Sequence, residues 1–294
     1  AIKMVRKWGA QVKKVGAEQG EIIVCEGNFA GRTTTIISFS TEPQYRDGFG
    51  PFTPGFRVVP YGDAEALRAA VGERTVGFLV EPIQGEGGVV VPPDGYLAAA
   101  ADICAKGNVA LMADEIQTGL GRTGRLFCSD WESVRPDVLI VGKALGGGVY
   151  PVSAVLADSE YMDVFRPGDH GSTFGGNPLG AAIARASLDV ILDEDLPARA
   201  DALGSWLGAE LRAADLPHVD HIRGRGLMVG VVIRESSGPA RPFCEALMRR
   251  GILAKETHHQ VVRLAPPLVI SKEVLEEALA TIVPVLRGEG VELT

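Results

Sequence analysis

Val138-Leu139-Ile140-Val141-Gly142-Lys143-Ala144-Leu145-Gly146-Gly147-Gly148 is an apolar strand that runs into a single lysine and then a glycine-rich turn. A lysine at the end of a buried strand either snorkels to water or presents an amine whose pKa burial lowers until it acts as a nucleophile. The segment upstream favours the second reading. Another apolar strand, Val109-Ala110-Leu111-Met112-Ala113, ends in Asp114-Glu115 and continues into Ile116-Gln117-Thr118-Gly119. In open α/β sheets ligands sit beyond the carboxyl ends of the strands, which predicts that the amine and the carboxylate face one crevice. A reactive amine and a buried carboxylate beside one ligand point to pyridoxal phosphate, with Lys143 bonded to the cofactor and Asp114 paired with its ring nitrogen.

The chain of 294 residues is 46% hydrophobic and carries a formal charge of −8. That is enough apolar material for one large domain or two, and no run approaches the ~18 residues of a membrane span. No membrane anchor is expected. The negative charge gives no basic field for nucleic acid, and Lys3, Arg6, Lys7, Lys13 and Lys14 read as a solvated helix face. Small acidic or zwitterionic substrates fit this balance. Cys25, Cys104, Cys128 and Cys244 lie far apart without a C-x-x-C, the pattern of reduced thiols in a cytoplasmic protein. His218 and His221, and the adjacent His258 and His259, stand near no ligand set of metal spacing, so no metal is expected.

Short apolar runs at Glu21–Cys25, Val76–Val80, Val109–Ala113, Val138–Val141 and Val152–Ala157 alternate with helical or glycine-rich stretches, the pattern of a mainly parallel sheet sandwiched by helices. Crossover helices are expected at Asp63–Val71 and Asp94–Lys106, stopped by Gly72 and Gly107, and a linking helix from Asn177 to Leu192. Beyond Pro197, helices near Ala198–Ala213, Pro242–Arg250 and Lys272–Arg287 flank strands at Leu227–Ile233 and Val261–Leu264. The prediction is an α/β fold with a large domain over 1–192 and a smaller α+β domain over 193–294. Ile2, Val5 and Trp8 share a helix face without a capping residue before them, so Ala1 reads as the middle of an element, with preceding residues expected to be missing.

Gly119-Leu120-Gly121-Arg122-Thr123-Gly124 matches G-x-G-x-x-G. A dinucleotide site needs those glycines to open a helix directly, and here Ile116-Gln117-Thr118 intervenes. Glu81-Pro82-Ile83-Gln84-Gly85-Glu86-Gly87-Gly88 places two carboxylates in a glycine-rich turn, either solvated or functional. Gly171-Ser172-Thr173-Phe174-Gly175-Gly176-Asn177-Pro178 offers hydroxyls and N–H groups at a helix start, suited to a phosphate or to an ordinary cap.

These segments, with Gly142-Lys143-Ala144-Leu145 and Ala113 to Gly119, resemble in order and spacing the class III, or subgroup II, aminotransferases of fold type I, nearly end to end. The resemblance implies pyridoxal 5′-phosphate as cofactor, with Lys143 and Asp114 catalytic. Gln117 would bond the ring hydroxyl, Phe29 and Ile116 would flank the ring, and Ser172 and Thr173 would reach the phosphate of the partner subunit in a homodimer with shared sites. Arg32, Glu81, Glu86 and Arg263 would bind amino-acid and 2-oxo-acid substrates, Glu86 pairing with Arg263 until a dicarboxylate needs the arginine. Gly27 to Thr33, Asp47 to Phe56 and Leu253 to Leu268 resemble the subfamily that takes the δ-amine of ornithine, the competing assignment being N-acetylornithine. A catalytically silent scaffold acting as a binding or structural subunit is the alternative of another class. The resemblance further implies that about the first quarter of the family's length, with its phosphate-holding turn, precedes Ala1, so that this chain alone is expected to hold the cofactor weakly.

Overall fold

The computed structural model describes residues 1–16 and 18–292. Two compact units result, one of Ala1–Pro82, Pro92–Gln117 and Ser129–Leu188, the other of Ile83–Val91, Thr118–Cys128 and the chain from Asp189 onward. The sequence suggests one cut near residue 192, whereas the two units interleave, because the turns after two strands pack with the C-terminal segment.

In the first unit the elements are α1 (Ile2–Gln11), β1 (Glu21–Cys25), the single turns α2 (Thr34–Ile37) and α3 (Pro43–Arg46), β2 (Phe56–Val59), α4 (Ala64–Ala70), β3 (Thr75–Val80), α5 (Tyr96–Lys106), β4 (Ala110–Asp114), β5 (Val138–Val141), β6 (Ala154–Ala157), α6 (Ser159–Met162) and the start of α7 (Pro178–Asp193). The sheet order is β2-β1-β3-β4-β5-β6. All its pairings are parallel except β5 with β6. Side chains alternate between two covered faces. Ile23, Cys25, Phe78, Val80 and Leu111 join Leu67 of α4 and Leu97, Ala100 and Ile103 of α5. Ile22, Val24, Leu79, Ala110 and Met112 join Met4, Val5 and Trp8 of α1. Each fully buried large side chain contributes roughly 1.5–3 kcal/mol, so burying both faces is what selects near-continuous apolar strands.

Polar groups close the ends of this layer. Asp63 Oδ1 accepts from Ala66 N at 2.8 Å and caps α4. Gly95, at the start of α5, has no side chain to do so, and the Glu132 carboxylate accepts from Gly95 N and Ala98 N instead. The basic N-terminal residues are not a free solvated face. Arg6 donates to Pro54 O and lies over Phe56, Lys7 pairs with Asp169, and Lys13 donates to Thr75 O and Gly107 O.

The second unit contains α8 (Leu196–Ala213), β7 (Val219–Arg225), β8 (Met228–Ile233), α9 (Arg241–Arg249), β9 (Lys255–Thr257), β10 (Val261–Leu264) and α10 (Lys272–Leu286). Its antiparallel sheet has the order β7-β8-β10-β9. Three strands escape the apolar pattern: β2 and β9 are short edges, and β7 reads Val-Asp-His-Ile-Arg-Gly-Arg without alternation. Edge strands gain their pairing from a neighbour and need little apolar sequence of their own.

The G-x-G-x-x-G stretch opens no helix. Gly121 packs on Pro197 and Gly124 on Asp201, so these glycines permit close approach to α8. Gly226, with φ of +53°, sits against the Thr123–Gly124 backbone, and an added Cβ at Gly204 would stand 1.9 Å from Gly226 O. Backbone cannot yield there as a side chain would. Gly204→Ala is expected to lower stability by about 3 kcal/mol, the upper part of the range for overpacked cores. Urea unfolding checks it; an unchanged midpoint would refute the contact.

Candidate functional site

Parallel pairing gathers the carboxyl ends of β1, β3, β4 and β5 on one edge of the sheet. Phe29 follows β1, Glu81 follows β3, Asp114 ends β4 and Lys143 follows β5. Between β1 and β3 the connection reverses direction across the sheet, the kind of switch point at which ligands bind.

Asp114 is 8% exposed, and its Oδ1 accepts from Ile116 N at 3.1 Å. Burial pushes this carboxyl up to about 6, opposed by the Ile116 N–H and by the charge of Lys143, while Glu115 pushes the same way as burial. Asp114 and Lys143 are thus electrostatic neighbours, as expected from the strand ends. Glu115 turns away from them: at 1% exposure it accepts from Ser129 N at 2.8 Å and Ser129 Oγ at 2.6 Å. Ile116 carbons lie 3.5 Å from where a Cβ on Gly142 would stand, which puts this side chain beside the residue preceding Lys143. Gln117 is half-buried in the same loop.

Lys143 departs from the buried amine that the sequence suggests. Leu139 and Ile140 are only half-buried, since β5 adjoins the last strand of the sheet, and Lys143 itself is exposed. Its backbone has φ of +43°, a conformation that costs a non-glycine residue about 1–3 kcal/mol and persists where the surroundings impose it. The strand and the following 3₁₀ turn, Lys143–Gly146, hold it there.

Phe29 N donates to Glu81 Oε1 at 2.8 Å, tying the loop after β1 to the end of β3. The Phe29 ring meets Tyr45 edge-on, and the Arg32 guanidinium lies 4.3 Å from the Tyr45 centroid. Tyr45 is a member of this cluster that sequence reasoning missed, for nothing in its spacing marks it. Ser172 and Thr173 are exposed. The cap of α7 is supplied by Asn177, whose Oδ1 accepts from Gly180 N, while Ser172 Oγ accepts from Gly175 N.

The second unit holds the other carboxylate. Glu86 Oε1 accepts from Arg263 at 2.6 Å and Oε2 from Lys255 at 2.6 Å. Burial alone would raise its pKa, but the two cations overcome it and hold the carboxyl at about 2. Arg122 donates to Leu227 O and Pro266 O, and burial followed by the charge of Arg263 brings its pKa down to about 10. Arg223 donates to Gly88 O. Lys255 was missed as a site residue; its signal is the hairpin, in which positions 255 and 263 pair across the strands. Among the described residues no group of three or more His, Cys, Asp or Glu is set to hold a metal, and no helix is long and apolar enough to cross a membrane.

The family model for class-III aminotransferases matches residues 1–286. The chain belongs to the class-III aminotransferases. It is 55% identical over 286 residues to the ornithine aminotransferase of Brevibacillus brevis, covering 97% of this chain and 71% of that one. Among solved structures, the ornithine aminotransferase of Toxoplasma gondii superposes with a TM-score of 0.96 at 44% identity, covering 98% of this chain and 69% of that one. The acetylornithine aminotransferase of Elizabethkingia anophelis is 47% identical with a TM-score of 0.85, over 97% and 71% of the two chains.

Class-III aminotransferases use pyridoxal phosphate, and the residues present fit it. A buried carboxylate that accepts one backbone N–H and is driven toward protonation is matched by a cationic ring N–H donor. The same shift predicts a pH effect. Asp114 binds its proton more tightly folded than at its ordinary value of 3.8, so the folded chain loses stability as pH rises from about 4 to about 6, and the cost is complete above that. In protein stripped of cofactor, Asp114→Asn should therefore stabilise by on the order of 2–3 kcal/mol at pH 8 and by nothing at pH 4. Urea unfolding at the two pH values checks this, and an equal effect at both would refute the burial.

Proposed function

We propose that this protein transfers the δ-amino group of L-ornithine to 2-oxoglutarate, giving glutamate and glutamate 5-semialdehyde, which closes to pyrroline-5-carboxylate. The observation that carries the reading is the ion pair of Glu86 with Arg263. An enzyme that takes ornithine by its remote amine and glutamate by its α-amine must accept one carboxylate in the first case and two in the second. An arginine masked by an internal carboxylate meets both demands, since bidentate pairing makes arginine a strong carboxylate partner. The relatives named as ornithine aminotransferases at 54–55% identity support the same substrate.

Lys143 would bond the cofactor covalently, Asp114 would face its ring nitrogen, Gln117 its ring hydroxyl, Phe29 and Ile116 its two faces. Ser172 and Thr173 would serve the phosphate of the partner subunit in a homodimer, a role their exposure in this chain supports. Bound pyridoxal phosphate supplies an electron sink for the carbanion left when the substrate carbon loses a proton. Lys143 Nζ would be the base that takes a proton from the substrate Cδ. Asp114 would keep the ring nitrogen protonated, a task that a charged, buried carboxylate performs and a neutral amide does not. Arg32 is positioned by the Tyr45 face and has its guanidinium N–H groups available for the ornithine carboxylate; Glu81 orders the Phe29 loop from beside it. Glu86, at about 2, stays ionised at every working pH. Four buried free thiols favour a reducing, cytoplasmic setting.

N-acetylornithine is the second donor to test, given the Elizabethkingia anophelis relative. Initial rates should favour ornithine over N-acetylornithine as kcat/KM, and the opposite order overturns the substrate assignment. Borohydride reduction and peptide mapping should place the cofactor on Lys143; label on Lys106 or Lys255 would overturn its role. Glu86→Ala should expose Arg263 and raise activity with glutamate relative to ornithine, as the ratio of the two half-reaction rates; an unchanged ratio removes the masking role.

A further inference from the structure

Glu86 is held by two cations, not one. Arg263 takes one oxygen and Lys255 the other, each at 2.6 Å. The two cations are direct partners across β9 and β10, where like charges facing one another are unfavourable. A bridging carboxylate offsets that repulsion. The two are not equivalent: the Arg263 side chain is 14% exposed and that of Lys255 58%, so arginine is set in the structure while lysine reaches in from water. Arg122, held on Leu227 O and Pro266 O, adds positive charge near Arg263, which favours an incoming anion there.

We infer that Lys255 is a positioning residue that retains Glu86 while Arg263 turns to a substrate carboxylate, and so sets the preference between dicarboxylate and monocarboxylate substrates. This rests on the reading of Arg263 given under Proposed function. Without Lys255, releasing Arg263 would strip the second of two cations from a largely covered carboxylate, and taking charge partners from a covered ion is strongly unfavourable. With it, the number of ion pairs is kept at two: Glu86 stays with Lys255, and Arg263 exchanges Glu86 for the substrate carboxylate. Lys255 keeps a cation on Glu86 while Arg263 leaves, so the carboxylate retains a charge partner through the exchange. The exposure of Lys255 makes the hand-over inexpensive, since its ammonium gives up little hydration in following Glu86.

The test is calorimetric titration of the holoenzyme with glutarate, a dicarboxylate lacking an amine, and with valerate, a monocarboxylate. Lys255→Met should raise the Kd of glutarate at least tenfold more than that of valerate. Lys255→Arg should restore it to within about threefold. Adding Glu86→Gln to Lys255→Met should also recover glutarate binding, because the Glu86 charge that holds Arg263 is then gone. In single turnovers the glutamate half-reaction should lose at least tenfold more than the ornithine half-reaction, through KM and not kcat. Equal weakening of glutarate and valerate, or no recovery in the double variant, overturns the latch. Arg263→Ala separates the two levels: if it leaves glutarate affinity at the wild-type value, the reading of Arg263 itself fails. If Arg263→Ala weakens glutarate and Lys255→Met does not, the latch alone is refuted.

Discussion

Everything at the first unit's candidate site depends on the direction of four strands. Because β1, β3, β4 and β5 pair in parallel, residues far apart in sequence emerge from the same sheet edge. The apolar faces that α1, α4 and α5 cover leave those strands no freedom to slip, since a one-residue shift would turn buried side chains outward. Asp114 is fixed by its pairing with Ile140 on β5, and Lys143 comes three residues after that partner. The positive φ at Lys143 is the strained joint of this frame, and it lies where the chain leaves the sheet beside Asp114.

Two carboxylates are driven to opposite ends of the scale by their surroundings. Asp114 is buried against one backbone N–H and rises to about 6; Glu86 is buried less, meets two cations, and falls to about 2. The first is a group that gains from a cationic partner, suited to stabilising a protonated ring nitrogen. The second already has its partners and can act only by exchanging them. Residue type is the same kind of acid in both cases, and environment assigns the work. Glu115 shows a third outcome: fully covered and bonded to Ser129, it anchors the loop that follows Asp114 and carries Ile116 and Gln117.

The sequence by itself determined the mainly parallel sheet, its covering helices, and the Lys143 and Asp114 pair, because near-continuous apolar strands ending in charged residues are local patterns with few alternative folds. It also marked Glu86 and Arg263, through the resemblance of their segments. Tertiary structure alone decided the rest. Strands β2, β7 and β9 form because a neighbour offers hydrogen bonds, which no local apolar pattern announces. The two units interleave because the turns at Ile83–Val91 and Thr118–Cys128 pack with a distant segment. Tyr45 and Lys255 take their places from contacts made across loops and strands, and the fate of each carboxylate follows from burial and the charges brought near it. Such terms depend on separation in space, and separation in sequence does not fix them.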